Sequence, residues 1–433
     1  MSKYSFSIRD YCAIKNAVID IDGITVLAGI NGSGKSTVSR WLYYLINVMH
    51  GFERIQKDDF IDSLAGEVNK LVRLFRTDNL GPRYESYRDR MQHFKREDVF
   101  VESQIGDVFA AFTLQAEKDL KNYINTASTL QNRRLTSYLI DDRDVPLDDA
   151  ERAVNVFISH CGELYQEGLK KLHDKLAQRS LIDLEDTIQD EYEMYDWMPM
   201  DISITEDGVP LIDQGSFIPP LMLSRAIYVD SPMVLSDVVP YKHGLWGKFR
   251  DLLFNANGKA SNDKLLLTIQ RIIGGEVKLE EDDIGFSQEL HYVANNGVDI
   301  RIEEAATGIK SFAYISRLLE NGWLDKETLL MIDEPEAHLH PQWIVEFARL
   351  LVLIHKELGT KIMIASHNPD MVAAIQSIAT KEAVIDSTKF YLAEKDKDTL
   401  TYRFVDKGTE IGDIFESFNI AMSRIEQYGT ALM

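Results

Sequence analysis

The sequence has few cysteines and no long apolar run. Cys12 and Cys161 are the only cysteines among 433 residues, too few for a disulfide framework or a zinc cluster. No stretch approaches the roughly 18 apolar residues of a membrane-spanning helix. The first ten residues also lack the apolar centre of a signal peptide. These features predict a cytoplasmic protein without a membrane partner.

Basic residues are also scarce relative to acidic ones. The chain has 47 lysines and arginines against 69 aspartates and glutamates, a formal net charge of −22. Proteins that bind nucleic acid tightly do so through basic contacts with phosphates. The pairs Arg133-Arg134 and Lys170-Lys171 are typical of solvated helix faces. Nucleic acid therefore stays open as a local partner, but the charge disfavours tight, non-specific binding to DNA.

The composition is that of a folded protein, and its character changes twice along the chain. Hydrophobic residues make up 45% and charged residues 27% of the sequence. Between residues 52 and 215, charges are dense, glycine is sparse and apolar residues recur at helical spacing. The sequence predicts an α/β head in two lobes, residues 1–51 and 216–433, separated by a helical insertion over residues 52–215.

The segments that flank the insertion alternate between strand and helix patterns. Strands that are apolar throughout and alternate with helices indicate a parallel sheet covered on both faces. Asn295-Asn296-Gly297 marks a β-hairpin. Beyond it, strands are predicted over residues 328–332 and 361–366, and helices over residues 309–321, 342–358 and 370–379.

Residues 29–36, GINGSGKS, match the phosphate-binding loop pattern G-x-x-x-x-G-K-[ST]. The loop follows an apolar strand, TVLAG, and opens an amphipathic helix. Its glycines let backbone N–H groups turn toward phosphates, Lys35 reaches the β and γ phosphates, and the Ser36 hydroxyl ligates Mg²⁺. The candidate nucleotide-binding residues here are Gly29, Asn31, Gly32, Ser33, Gly34, Lys35, Ser36 and Thr37.

A second candidate group lies in LLMIDE, residues 329–334, where an apolar strand ends in two acids. Ligands bind α/β sheets at this end of the strands. Asp333 can hold Mg²⁺, directly or through water, and Glu334 can polarise the attacking water. A helix cap or a surface turn is the alternative, which the upstream phosphate loop disfavours.

Taken together, four strings resemble those of a known family. GINGSGKST, EEAATGIKS, LLMIDEPEAHLHP and IASHNP, in this order, are similar to the ABC-type ATPases of the SMC/RecF/OLD group. The likeness is strongest to bacterial stand-alone AAA family ATPases with the DEPEAHLHP motif, as in retron, Septu or PARIS anti-phage systems. It covers residues 1–50 and 220–395, and leaves out the insertion. It implies an ABC-type P-loop ATPase head with an inserted helical subdomain that hydrolyses ATP with Mg²⁺.

The resemblance also implies roles for residues outside the two motifs. Thr307 and Gly308 would be the signature segment that contacts ATP bound to a second copy, which implies a homodimer. Thr307 replaces the commoner serine, and a plain helix N-cap is its alternative role. Residues 336–341 would cross the dimer interface. His367 would be the histidine that senses the γ-phosphate, and it joins Lys35 and Glu334 as a candidate catalytic residue.

The sequence leaves three functions open. The first is an ATPase that regulates an operon-encoded effector in an anti-phage system. The second is a RecF-like DNA-repair ATPase, and the third is a scaffold that uses ATP only to dimerise. Two other readings are disfavoured: His338 and His340 lack further ligands for a metal site, and Asp396 and Asp398 are expected in a hairpin turn rather than in a nuclease site.

Overall fold

The computed structural model describes residues 2–76, 81–96, 100–140, 146–230, 244–258, 262–281, 288–418 and 427. The chain divides into two compact units, one of residues 1–50 with 184–433 and one of residues 51–183. The helical insertion predicted from the sequence also includes residues 184–215, whereas the structure places these residues in the first unit. The strand Asp201–Glu206 explains this, because its alternating DISITE pattern pairs with the first strand of the chain.

The strands of the first unit come from both of its segments, residues 1–50 and 184–433. They are β1 (Tyr4–Tyr11), β2 (Ile14–Ile21), β3 (Ile24–Ala28), β4 (Asp201–Glu206), β5 (Val209–Pro210), β6 (Ile212–Asp213), β7 (Ser216–Phe217), β8 (Arg225–Val229), β9 (Gly275–Glu281), β10 (Gln288–Ala294), β11 (Asp299–Arg301), β12 (Thr328–Asp333), β13 (Lys361–Ser366), β14 (Thr388–Lys395) and β15 (Tyr402–Asp406).

Within the described residues, ten of these strands form one mixed sheet in the order β5-β4-β1-β2-β15-β14-β3-β13-β12-β8. The run β14-β3-β13-β12-β8 is parallel, with Ile24 opposite both Thr388 and Ile362. β3, β12 and β13 are buried along their whole length. The predicted α/β fold with a covered parallel sheet is confirmed.

The helices pack on the sheet in the first unit and make up the unit of residues 51–183. They are α1 (Lys35–Leu74), α2 (Gly81–Arg96), α3 (Glu102–Thr126), α4 (Thr129–Leu139), α5 (Ala150–Gln178), α6 (Leu181–Tyr192), α7 (Gly244–Phe254), α8 (Asp263–Ile273), α9 (Thr307–Glu320), α10 (Pro341–Leu358), α11 (Pro369–Lys381) and α12 (Gly412–Phe418).

The predicted helices after residue 300 end where the local chemistry stops them. His340 caps α10 before Pro341, and Gly359 closes it in a left-handed conformation. Asn368 caps α11 by accepting from the N–H groups of Asp370 and Met371. The Asn295-Asn296-Gly297 hairpin joins β10 to β11, as expected.

The unit of residues 51–183 has a hydrophobic core of its own. α3 and α5 face each other with the apolar stripes read from the sequence. Phe112 and Phe157 are fully buried in it, and Asp119 accepts hydrogen bonds from Tyr84 and Arg83. The helical character expected of the insertion is therefore present in this unit.

Candidate nucleotide-binding site

The phosphate loop, the acidic pair and His367 meet where three adjacent parallel strands end. β3 lies next to β13, and β13 lies next to β12. Ala28, at the end of β3, pairs with Ser366, and Asp333 pairs with Ala365. The phosphate loop, the acidic pair and His367 each begin within one residue of these strand ends. The parallel register thus brings three distant sequence motifs to one edge of the sheet.

The tip of the phosphate loop depends on glycine at positions 32 and 34. Gly32 and Gly34 have φ angles of +77° and +93°, which side chains other than hydrogen rarely allow. A Cβ on Gly34 would also lie 2.6 Å from Cγ1 of Ile14. The loop packs back on itself through a hydrogen bond of 3.3 Å from Ser33 N–H to the Ile30 carbonyl.

Lys35 is buried rather than exposed with its loop. Its Nζ donates to the carbonyls of Gly29, at 2.8 Å, and Ile30, at 3.0 Å. Burial lowers the pKa of Lys35, and the carboxylates of Asp333, Glu334 and Glu336 oppose this effect. The ammonium is therefore held at the centre of the loop, facing the acids.

The other predicted loop residues lie around this lysine. Asn31 and Gly32 are exposed at the tip, whereas Ser36 and Thr37 are half-buried in the first turn of α1. Ser33 is fully buried, and its Oγ has no hydrogen-bond partner within the described residues. A buried hydroxyl without a partner is uncommon and requires an explanation.

Asp333 is buried, and its two carboxylate oxygens differ in their hydrogen bonding. Oδ2 accepts a hydrogen bond of 3.0 Å from the hydroxyl of Tyr228, whereas Oδ1 has no hydrogen-bond partner among the described atoms. Burial raises the pKa of Asp333, and the hydroxyls of Ser36 and Tyr228 oppose the rise. A cation next to Oδ1 would offset the cost of burying this charge.

Glu334 follows Asp333 with a left-handed backbone, at φ +48°. Its N–H donates to the Ala365 carbonyl at 2.8 Å, which holds the turn against β13. The side chain is 37% exposed. The turn therefore points one acid inward and leaves the next one accessible to water.

His367 lies between two glutamates. Its Nδ1 is 3.4 Å from Oε1 of Glu334 and 3.4 Å from Oε1 of Glu336. Glu336 is buried and accepts from the Ser366 hydroxyl at 2.8 Å and from the His367 N–H at 3.0 Å. Burial raises the pKa of Glu336. Glu336, for which the resemblance implies an interface loop, therefore anchors the segment that carries the histidine.

The signature residues lie at the first turn of α9. α9 begins at Thr307, and its N-cap is Ala306, which has no side-chain cap. Thr307 is thus not the N-cap that its alternative reading required. A Cβ on Gly308 would lie 2.6 Å from Cε3 of Trp343 and 3.2 Å from Cδ2 of Leu339, so glycine is needed for close packing. Among the described residues, neither hydrogen bond nor ion pair joins Thr307 or Gly308 to the phosphate loop.

Two disfavoured readings can also be located. The Nδ1 of His340 accepts from the Gln342 N–H, which makes this histidine a helix cap. Asp396 accepts from the Asp398 N–H and from Arg403, and so closes the β14–β15 hairpin. The contacts of Asp396 agree with the hairpin turn expected from the sequence. The capping role of His340 was not predicted from the sequence.

Sequence reasoning missed Tyr228, Arg40 and Trp343. Tyr228 lies on β8, beside β12, and Arg40 lies one turn beyond Lys35 on α1. None of the three belongs to a local motif. Only the pairing of β8 with β12, and the packing of α10 on α9, reveal their positions.

The site passes a chemical test for ATP with Mg²⁺. Ser33 Oγ and Asp333 Oδ1 are buried oxygens without partners, one in the phosphate loop and one at the strand end beside it. Lys35 is buried in the same loop, and the Asp333 carboxylate is near enough to oppose the fall in the pKa of this lysine. Phosphate oxygens suit the loop's donors, and a hard divalent cation suits carboxylate and hydroxyl oxygens.

Comparisons with known proteins point the same way over part of the chain. Residues 247–372 match the family described as "AAA ATPase domain". The energy-coupling factor transporter ATP-binding protein EcfA3 of Clostridium perfringens is 35% identical over 97 residues, 22% of this chain and 33% of that protein. The methionine import ATP-binding protein MetN of Lactobacillus delbrueckii is 32% identical over 121 residues, 26% of this chain and 32% of that protein.

The chain thus spans about a third of the length of these curated relatives. Among solved structures, the SMC head domain from Thermotoga maritima is similar, with a TM-score of 0.36 and 10% identity, over 94% of this chain and 99% of that one. Within the described residues, no helix combines the length and the apolar character needed to cross a bilayer.

Proposed function

We propose that this protein, an ABC-type and SMC-like P-loop ATPase by its motifs and matches, binds ATP with Mg²⁺ at the edge of β3, β12 and β13 and hydrolyses it. The observation that carries the proposal is the convergence of Lys35, Asp333 and Glu334 around buried oxygens without partners. The backbone N–H groups of residues 29–36 and the Lys35 ammonium would hold the phosphates. Ser36 and Asp333 would hold Mg²⁺, which neutralises charge on the phosphate oxygens when bound.

Glu334 is the residue that we assign to the attacking water. It is the accessible acid of the pair, and its left-handed turn fixes its carboxylate near the strand end. A carboxylate there orients water and accepts its proton. His367, 3.4 Å from that carboxylate, can position Glu334 or donate to a terminal phosphate oxygen, and Glu336 holds the segment that carries it.

Thr307 and Gly308 are assigned to the site of a second copy. They open α9 with a helix N-terminus that no side chain caps, and this end attracts anions. The proposal is therefore a homodimer in which each ATP lies between the phosphate loop of one copy and α9 of the other. Nucleotide binding would close the dimer, and hydrolysis would open it.

In this proposal, the opening and closing of the dimer regulates an operon-encoded effector, and the protein is the ATPase subunit of a prokaryotic anti-phage system. This finer role rests on the resemblance of the DEPEAHLHP motif, and on the net charge of −22, which disfavours a DNA-centred function. Co-purification from the native operon tests it by mass spectrometry. A nuclease, toxin or reverse transcriptase that co-elutes supports the role, whereas ATP-dependent retention of DNA alone contradicts it.

The catalytic assignment is tested with Lys35→Ala and Glu334→Gln. Lys35→Ala should lose ATP binding, because the phosphates lose their buried counter-charge. Glu334→Gln should bind ATP but lose about 10³-fold in turnover, since the water loses its base. Nucleotide affinity, phosphate release and mass by light scattering are measured together. Rapid turnover by Glu334→Gln would remove this residue from catalysis, and wild-type affinity in Lys35→Ala would refute the loop assignment.

A further inference from the structure

A chain of polar contacts runs from the surface to the buried acid of the candidate site. Arg40, on α1, has its NH2 group 3.3 Å from Oδ2 of Asp230. Its Nε donates at 3.4 Å to the hydroxyl oxygen of Tyr228. That hydroxyl in turn lies 3.0 Å from Oδ2 of Asp333. The three contacts link the end of β8 to the end of β12 through side chains alone.

The chemistry of these groups fixes the direction of each hydrogen bond. A guanidinium group can only donate, and a phenol has a single proton. Because the Tyr228 oxygen accepts from Arg40, its proton is directed to Asp333. Tyr228 is 2% exposed, so its hydroxyl is shielded from bulk water as an alternative partner. Oδ2 of Asp333 is thereby committed to a protein donor.

The other oxygen of Asp333 is left in a distinct state. Oδ1 is buried and has no hydrogen-bond partner within the described residues. The two oxygens of a carboxylate are chemically equivalent, so the hydrogen bond does not choose between them. It fixes the plane of the carboxylate about the Cβ–Cγ bond and leaves one oxygen, Oδ1, directed away from the phenol. A hydrogen bond from a fixed group is how proteins orient metal-binding carboxylates.

We propose that Tyr228 is a positioning residue, which holds Asp333 so that Oδ1 faces the cation that accompanies ATP. This inference rests on the proposed function. Tyr228 does not touch the nucleotide, and its contribution passes through Asp333. The competing explanation is that the hydrogen bond only ties β8 to β12. Those strands are already joined by their backbone register, from Thr328–Arg225 to Ile332–Val229.

The test measures binding rather than turnover, in full-length protein that carries Glu334→Gln. ATP affinity is measured with EDTA and with saturating Mn²⁺, and the ratio of the two gives the contribution of the metal. In Tyr228→Phe we expect this ratio to fall about 10-fold, the loss typical of a removed carboxylate partner. The affinity with EDTA should match that of the parent protein.

Tyr84→Phe is the matched control. Tyr84 is buried and donates to Oδ2 of Asp119 at 3.0 Å, the same bond at the same length, in the unit of residues 51–183. It should leave the ratio unchanged. An equal ratio in Tyr228→Phe and Tyr84→Phe overturns the positioning role.

The outcomes separate this inference from the proposed function. If Mn²⁺ does not strengthen ATP binding in the parent protein, the proposed metal site itself fails, whatever the variants do. If Tyr228→Phe does not fold, as judged by its melting temperature and its affinity with EDTA, the comparison moves to Arg40→Met. That variant keeps the phenol, whose single proton still has the acceptor-only carboxylate of Asp333 as its partner. Its ratio should match that of the parent protein, and a 10-fold fall there, with the phenol still in place, overturns the assignment.

Discussion

Glu336 is the acid whose position the sequence least revealed. It lies in DEPEAHLHP, where the resemblance implied an interface loop. In the structure its carboxylate is buried and accepts from Ser366 and from the backbone of His367. A side chain with this position fixes the histidine turn relative to β12.

The burial of Glu336 predicts how the stability of the protein depends on pH. Since burial raises the pKa of Glu336, the folded state holds its proton more tightly than the unfolded chain does. Glu336 therefore costs no stability below its unfolded pKa and costs progressively more as pH rises through its raised folded pKa. Glu336→Gln stays neutral and can keep the acceptor for Ser366 and His367.

We expect the free energy of unfolding of Glu336→Gln, relative to the unaltered protein, to increase as pH rises through the acid range. Urea denaturation from pH 4 upward measures the difference. Glu334→Gln is the control, since the Glu334 carboxylate is partly solvated. A difference that falls with rising pH would show that Glu336 is stabilised in its charged form.

At the same scale, the phosphate loop, the acidic pair and His367 could be recognised from the sequence, but not the contacts that hold each of them. The phosphate loop and the acidic pair are contiguous motifs, so their chemistry could be read directly. The partners of Asp333 and His367 come from other elements, and only strand register and turn geometry select them. Thr307 illustrates the same limit, because the cap position falls on Ala306 instead.

At the scale of elements, α9 and α10 meet through a glycine and a tryptophan. Trp343 packs over Gly308 and makes an edge-to-face contact with Phe312, at 5.7 Å between ring centroids. Leu339 completes the contact from the loop that begins at Glu334. The segment of residues 334–343 therefore begins with the candidate catalytic acid, Glu334, and contacts the signature turn through Leu339 and Trp343.

Gly308→Ala tests this packing. Its Cβ would lie 2.6 Å from the Trp343 ring, so one of the two helices must shift. We expect a loss of about 1–3 kcal/mol in the free energy of unfolding, as for other overpacked sites. Adding Trp343→Leu, which shortens the opposing side chain, should recover part of it. A double-mutant cycle by urea denaturation measures the coupling, and strictly additive losses would contradict direct packing.

Element boundaries were predictable where apolar period and caps agree, as in α10, α11, β12 and β13. They were not predictable around residue 184. There the chain returns from helix to strand within a charged region. The position of β4 is set by its pairing with β1, as in the contact between Ser7 and Ser203, which are 196 residues apart in the sequence.

At the scale of the whole molecule, the composite site can be tested by mixing two inactive variants. Gly308 is unsuitable for this purpose, because a larger side chain would first strike Trp343 within its own copy. Thr307 is half-buried at the start of α9, where an acidic residue favours the helix while repelling phosphate.

Thr307→Glu and Lys35→Ala should each be inactive alone. In a hybrid dimer, the phosphate loop of the first variant meets the signature turn of the second, so one intact site of the two is restored. ATP turnover is followed as the variants are mixed, with neutral Thr307→Gln in place of Thr307→Glu as the control. A mixture without activity, although hybrid dimers are present, would contradict an active site shared between copies.

The order of strands in the sheet has a consequence for synthesis. β3, which leads into the phosphate loop, pairs with β13 and β14. Ile24 therefore cannot form its strand pairs until Ile362 and Thr388 have been synthesised. At translation rates of about 5–20 residues per second, this delay is roughly 20–70 s. Residues 51–183 have their own core and can fold meanwhile. The apolar strand β3 remains unpaired on the ribosome during that time, a stretch that chaperones would bind. The motif that is synthesised first thus becomes functional among the last parts of the chain.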